Sequence, residues 1–383
     1  NRNVVIPLDP YELQEIPTAP AGASLVLTID REMQRTVEGI LDKAVKTNGA
    51  AGGTIIVMDP NNGEILAMAS NPRLDPNAYW ENTKVFPPGV PYNKAVNQVY
   101  EPGSVFKILT MAAALDAGVV TPDTPFTDTG QIEVGGWMIY NWDRGAWGNQ
   151  NMIGCMQHSL NVCLSWIATQ LGPTRFYDYL ERFGIGHRTN IDLAGEEVYP
   201  LSVPGDPMWY TVNLATNSFG QGVAVTPVQL LMAASAIANE GQMVAPHVLK
   251  SYIQDGQQFD TAPQVVGRPI TAETAKTLTD MLAISLEEEA STALVDGYRV
   301  AGKTGTAEIA VNGQYSSNKT NASFVGWGPV DDPQFIVFVW LEKPSTSIWG
   351  SIVAAPVFSN VVQEIVVLMN LPPDEIRMSL KEE

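Results

Sequence analysis

The sequence predicts an α+β fold, with one antiparallel sheet flanked by helices and a helical subdomain set into it. Three observations lead there. Short β-rich runs lie in residues 50–72 and again across 295–370, whereas about 104–240 places apolar residues at the i, i+3, i+4 spacing of helices. Strands at both ends with helices between describe a sheet of sequence-distant strands. The 383 residues are 45% hydrophobic and only 16% charged, enough for a sizeable core and too little charge for a disordered chain or a long coiled coil.

Taken in order, residues 1–24 carry Pro7, Pro10, Pro17 and Pro20, which remove backbone donors and block helix, so they read as a linker from a preceding region. Residues 31–46 follow a capping Asp30 and line up Met33, Val37, Ile40, Leu41 and Ala44 on one helical face. Residues 54–59 and 64–70 flank Asn61-Asn62-Gly63 and read as a hairpin. Helices are expected at 104–117, 161–171, 174–183, 227–239 and 287–294. Strands follow at 299–310, 322–329 and 334–342, then an apolar helix at 353–368 and a polar tail at 373–383. The chemistry-bearing domain is therefore expected over 25–372, and no internal repeat is evident.

The 41 acidic against 22 basic residues give a formal charge of −19, which argues against nucleic acid and anionic membrane surfaces as partners, while a few lysines can still make a positive pocket locally. Cys155 and Cys163, eight residues apart, form neither a CxxC pair nor a four-cysteine zinc site. They are expected as two buried free thiols, a single bridge being allowed outside the cytosol. No apolar run reaches the ~18 residues of a membrane span.

Gly297-Tyr298-Arg299-Val300-Ala301-Gly302-Lys303-Thr304 matches the phosphate-loop pattern. That loop works between a strand and a helix, so that amides converge on phosphate. Here a helical stretch precedes it and β-like sequence follows, so it is expected to be strand. His158, His187 and His247 lack the spacing of an H-E-x-x-H zinc site, and no G-x-S-x-G elbow offers a serine to a histidine.

A lysine replaces histidine as base when burial or a neighbouring cation lowers its pKa. Ser104-Val105-Phe106-Lys107 offers such a pair: a helix starting at Ser104 after Pro102-Gly103 would stack hydroxyl and amine on one face. A second copy, Ser316-Ser317-Asn318-Lys319, follows Asn312-Gly313 and is expected as a solvated turn without an apolar wall to desolvate its lysine.

Ser159-Leu160-Asn161 and Lys303-Thr304-Gly305 follow the first copy in order. With Tyr100-Glu101-Pro102-Gly103, Ser218-Phe219-Gly220-Gln221-Gly222, Ala322-Ser323-Phe324-Val325-Gly326 and Ala354-Ala355-Pro356-Val357-Phe358, they resemble the penicillin-binding protein transpeptidases over roughly residues 24–370. Within that family the pattern is similar to the class B, monofunctional enzymes, and more to their division than their elongation type.

The resemblance implies the penicillin-binding-protein/serine β-lactamase-like fold and no cofactor or metal. It implies an acyl transferase that cuts the D-Ala-D-Ala end of a peptidoglycan stem peptide, passes the acyl group to an amine, and is acylated by β-lactams. Ser104 matches the nucleophile, Lys107 its base, Ser159 the proton relay and Asn161 the residue that binds the substrate amide and steadies Lys107. Lys303, Thr304 and Thr306 match the carboxylate site, Gly305 leaves room for substrate, and the backbone amides of Ser104 and Thr306 match the oxyanion hole. It further implies a lost N-terminal membrane anchor, action at the extracytoplasmic face of the bacterial cytoplasmic membrane, and glycan polymerase, divisome or elongasome partners.

Trp137, Tyr140, Trp142 and Trp147 are expected as loop packing, and Glu196-Glu197 and Glu287-Glu288-Glu289 as solvated faces. Rival functions are a serine β-lactamase, a non-enzymatic β-lactam sensor and, from the glycine motif, a nucleotide hydrolase.

Overall fold

The computed structural model describes residues 22–86, 93–311 and 314–381. Its centre is a five-stranded antiparallel sheet of β1 (Gly52–Met58), β2 (Ile65–Asn71), β3 (Ala301–Val311), β4 (Gln314–Gly328) and β5 (Phe335–Glu342). The spatial order is β3-β4-β5-β1-β2, so strands from both ends of the sequence interleave. Every residue of β1 and β5 is buried, the expected state for central strands covered on both faces, and this explains the apolar runs Ile55–Met58 and Phe335–Leu341.

Because side chains alternate along a strand, each central strand feeds two cores. Ile55, Val57, Val337 and Val339 pack with α1 (Arg31–Asn48) on one face. Ile56, Met58, Ile336 and Phe338 pack with the helical region on the other. Burying each such side chain is worth about 1.5–3 kcal/mol. Asp30 caps α1, its Oδ1 accepting from Met33 N at 2.8 Å.

The helical region comprises α2 (Lys107–Asp116), α3 (Met152–Gln157), α4 (Asn161–Leu171), α5 (Pro173–Arg182), α6 (Thr211–Ser218), α7 (Pro227–Ala238) and α8 (Ala272–Glu289). The chain then runs through β3–β5 to α9 (Ala355–Leu368) and α10 (Asp374–Lys381). Gly350–Leu368 is long and apolar enough to pass for a membrane span, but α9 buries Val357, Phe358, Val361, Val362 and Ile365 in the core with α1.

Several expectations change. The helix expected from Ser104 opens as a 3-10 turn, Gly103–Phe106, and becomes α-helical only at Lys107. Cys155 and Cys163 are joined as a disulfide rather than left as thiols, because consecutive helices bring them together. The second S-x-x-K copy, Ser316 to Lys319, lies in strand β4 and not in a turn, since β4 pairs with β3 far beyond the segment expected. Glu196 is buried: its carboxylate accepts from Thr189 N and Oγ1 at 2.6 Å each and from Asn190 N at 3.1 Å, pinning a loop. The middle region also holds four short strands between Phe126 and Gln150, paired as two ribbons.

Beyond the main sheet, Ser24, expected as the linker's last residue, opens a strand Ser24–Leu27 that pairs with Leu249–Gln254. Residues 1–21 of that expected linker lie outside the described residues. The expected tail contains α10, anchored by Arg377 on Asp331 and Asp374.

Candidate active site

The turn that carries Ser104 is held against the edge strand β3 by two glycines. Gly220 (φ 80°) accepts a hydrogen bond from Gly103 N at 3.0 Å, and any Cβ on Gly220 would overlap the Gly103 carbonyl. A Cβ on Gly103 (φ 59°) would stand 3.0 Å from Thr306 O. These contacts seat Ser104 beside Thr306. In a 3-10 turn the side chains at i and i+3 eclipse, so Ser104 and Lys107 share a face even though the α-helix starts later than expected.

Lys107 is fully buried, and its Nζ donates to Ser159 O at 2.6 Å, Asn161 Oδ1 at 2.8 Å and Ser159 Oγ at 3.1 Å. These acceptors favour an ammonium. Burial opposes them most strongly and the Lys303 charge adds to it, so the amine's pKa is held well below the ordinary lysine value. A neutral amine also fits the cage: two N–H groups serve Ser159 O and Asn161 Oδ1, while the lone pair takes the Ser159 hydroxyl proton. Ser104 Oγ itself makes no hydrogen bond among the described residues.

Ser159 sits between α3 and α4 in the left-handed region, φ 54°, which turns its carbonyl and hydroxyl onto one lysine. Leu160 N donates to Cys155 O at 3.0 Å, and the Cys155–Cys163 bridge closes the loop on both sides of this turn, with both residues buried. Asn161, first residue of α4, donates from Nδ2 to Tyr140 O at 3.2 Å, which fixes its Oδ1 toward Lys107.

On β3, Thr304, Thr306 and Glu308 share the face that lines the cavity, as period-two alternation requires. Lys303 is 4% exposed, and its Nζ donates to Thr304 Oγ1 at 3.3 Å. Thr306 Oγ1 accepts from Gly350 N at 3.0 Å. The glycine at 305 has a packing cause: its missing Cβ makes way for Ser323 Oγ, Val105 Cγ1 and Pro102 O, which seat the nucleophile turn on the strand. Lys303 and Thr304 lie inside a strand with no helix after them, so the glycine motif makes no phosphate cradle.

Ser104, Ser159, Asn161, Thr304 and Thr306 all border one cavity of about 650 Å³. Tyr140 and Trp142, expected as loop packing, line it too. Trp142 meets Trp349 edge-on at 4.9 Å and donates from Nε1 to His158 O at 3.2 Å. Trp147 stacks on His158 at 4.1 Å, while Trp137 is exposed. The sequence reading missed Trp349, His158 and Glu308 as cavity residues. For Trp142 a usable signal existed, four aromatics in one glycine-rich stretch; for Trp349 and Glu308 there was none. Among the described residues no cluster of His, Cys, Asp or Glu could hold a metal ion.

A family model described as the penicillin binding protein transpeptidase domain matches residues 53–363. The chain is 35% identical over 381 residues to stage V sporulation protein D of Bacillus subtilis, covering 97% of this chain and 58% of that protein. It is 32% identical over 369 residues to penicillin-binding protein PbpB of Mycolicibacterium smegmatis, covering 92% of this chain and 55% of that protein. The chain thus spans under three fifths of these relatives' length. The crystal structure of penicillin binding protein 3 from Mycobacterium tuberculosis, complexed with aztreonam, superposes with a TM-score of 0.83 at 30% identity, covering 92% of this chain and 80% of that one. Since the matched segment runs from β1 into α9 and takes in the cavity and every residue of its three motifs, the chain belongs to the family of penicillin-binding protein transpeptidase domains.

Proposed function

We propose that this domain is a peptidoglycan D,D-transpeptidase of the monofunctional class, nearer the division type, working outside the cytoplasm, where a disulfide persists. The observation that carries the proposal is Lys107: a buried amine of lowered pKa, caged by Ser159 and Asn161 and one eclipsed turn from Ser104. Ser104 Oγ attacks the carbonyl carbon of the penultimate D-Ala and gives its proton to Lys107. The backbone amides of Ser104 and Thr306 bind the oxyanion. The proton then passes through Ser159 Oγ to the departing D-Ala nitrogen as the C–N bond breaks, leaving an ester on Ser104. In the second half an acceptor amine forms the new C–N bond, and its proton returns through Ser159 and Lys107 to Ser104 Oγ as the ester breaks. Lys303, Thr304 and Thr306 hold the terminal carboxylate. A β-lactam enters by the first half and stays as the ester.

Glycan polymerases of the membrane are the partners this role calls for. The test is intact-mass analysis after fluorescent penicillin for wild type, Ser104→Ala and Ser316→Ala. One adduct, lost only in Ser104→Ala, is expected. Loss in Ser316→Ala instead would overturn the site, and steady turnover of a chromogenic cephalosporin in place of one equivalent would make the protein a β-lactamase.

A further inference from the structure

Glu308 is the one acidic side chain among the described residues that line the main cavity. It is half-buried, and among the described residues its carboxylate has no hydrogen-bond or ion-pair partner. A carboxylate that faces a cavity without a protein partner keeps its acceptor oxygens open, and a bound cation would fill them. On β3 it follows Thr306 on the same face, hence about 7 Å further along the strand, beyond the turn of Ser104. A second cavity of about 280 Å³, bordered by Gln98, Glu101 and Lys343, also reaches Glu308. The carboxylate is therefore open from two directions, one of them separate from the chamber of Ser104.

The transpeptidase reading requires two substrates to meet at Ser104. The donor ends in a carboxylate and goes to Lys303, Thr304 and Thr306, and a further anion beside Glu308 would be repelled. The acceptor brings a primary amine, which is an ammonium near neutral pH. We propose that Glu308 selects the acceptor strand by pairing with this ammonium, holding it beside the ester from the side of the second cavity. The inference rests on the transpeptidase reading. Glu308 binds and does not transfer the proton: the ammonium gives its extra proton to water before the neutral amine attacks. The chain's net charge of −19 favours the approach of such a cation.

The test is partition of the acyl-enzyme. A D-alanyl thioester donor is turned over with Nα-acetyl-lysine amide as acceptor, and hydrolysis and aminolysis products are counted together. Glu308→Gln, close to isosteric, is expected to lower the aminolysis-to-hydrolysis ratio about tenfold through the acceptor KM, the size of one lost charged hydrogen bond. The ratio should fall with salt in the wild type and not in Glu308→Gln, and Glu308→Asp should recover part of it. An unchanged ratio overturns the inference. This includes an equal fall of both products, which would place Glu308 in a step common to both and not in choosing the acceptor. Failure of the underlying reading looks different: the wild type would then form no ester on Ser104, as read by mass, and the inference falls with it.

Discussion

Lys107 Nζ stands 2.6 Å from the carbonyl oxygen of Ser159, a residue 52 positions later whose left-handed backbone aims both its oxygens at the amine. A charged lysine would donate to every acceptor in this cage, whereas a neutral one can accept the Ser159 hydroxyl hydrogen on its lone pair. On the proposed mechanism, the pKa of Lys107 governs whether its amine is free to take the Ser104 proton.

The first prediction concerns the pH profile of acylation. Burial chiefly, and the Lys303 charge next, lower the pKa of Lys107. The reactive form is neutral, so the rate falls as pH drops through that lowered pKa. Lys303→Ala removes one of the two causes, the pKa rises, and the acid limb moves to higher pH. Asn161→Asp sets a carboxylate in place of an amide 2.8 Å from Nζ and moves the limb the same way. Stopped-flow acylation by fluorescent penicillin across pH reads both, and a limb that stays put in both variants excludes Lys107 as the base.

A second prediction concerns the disulfide. Cys155 and Cys163 enclose the Ser159 turn with a sequence separation of 8, and loop closure of that length stabilises by about 2–3 kcal/mol. Cys155→Ala with Cys163→Ala should lower the melting temperature accordingly and slow acylation, because Ser159 loses a restraint on an unfavourable backbone conformation. Reduction of the wild type, with alkylation checked by mass, should reproduce both effects. A melting temperature indifferent to reduction would deny the bridge a structural part.

How much of this was legible beforehand divides along physical lines. The motifs of Ser104, Lys107, Ser159, Asn161 and Lys303 were legible as residue types at set spacings, and the structure gathers Lys107, Ser159, Asn161 and Lys303 within hydrogen-bond or charge reach of one another, which supports but does not test their proposed roles. The central strands were readable because burial on both faces leaves near-continuous apolar runs, Ile55–Met58 and Phe335–Leu341. The disulfide was not, since pairing depends on how two helices turn about Ser159. Nor was Glu196, whose partners Thr189 and Asn190 meet it only through a loop's fold. Ser316 to Lys319 misled because polar residues with a glycine before them suit a turn and a long edge hairpin equally.

A third prediction sits at the C-terminus. Asp331 accepts from Arg377 Nη1 at 3.1 Å and from Lys381 Nζ at 3.0 Å, tying α10 to the loop before β5. Against the cost of burial, these cations hold its carboxyl down at about 2. The unfolded group ionises near the ordinary value, so its contribution is present above pH ~4 and is lost as pH falls through about 2. Partial exposure discounts this to about 1 kcal/mol at neutral pH. Asp331→Asn should lower stability by that amount at pH 7 and by only a small part of it at pH 2, where the folded carboxyl is about half protonated, measured by denaturant melts at both. Arg377→Ala should cost more, because it also releases Asp374.

The last prediction separates two reasons for a glycine at 305. If the position serves only to leave room for substrate, Gly305→Ala weakens binding and nothing inside the protein can repair it. The packing argues otherwise. A Cβ there would overlap Ser323 Oγ on β4 and stand 2.9 Å from Val105 Cγ1 on the nucleophile turn, with both neighbours buried. The strand and the turn would have to part, at about 1–3 kcal/mol of overpacking. A shift of an ångström between Ser104 and the Thr306 amide would cut acylation about a hundredfold. Ser323→Ala removes the closest obstacle and should restore part of the rate in the Gly305→Ala background, though not all, because Val105 remains. Acylation kinetics of the two single variants and the double variant decide it. Additive losses would return Gly305 to the substrate, whereas partial rescue assigns it to the seat of Ser104.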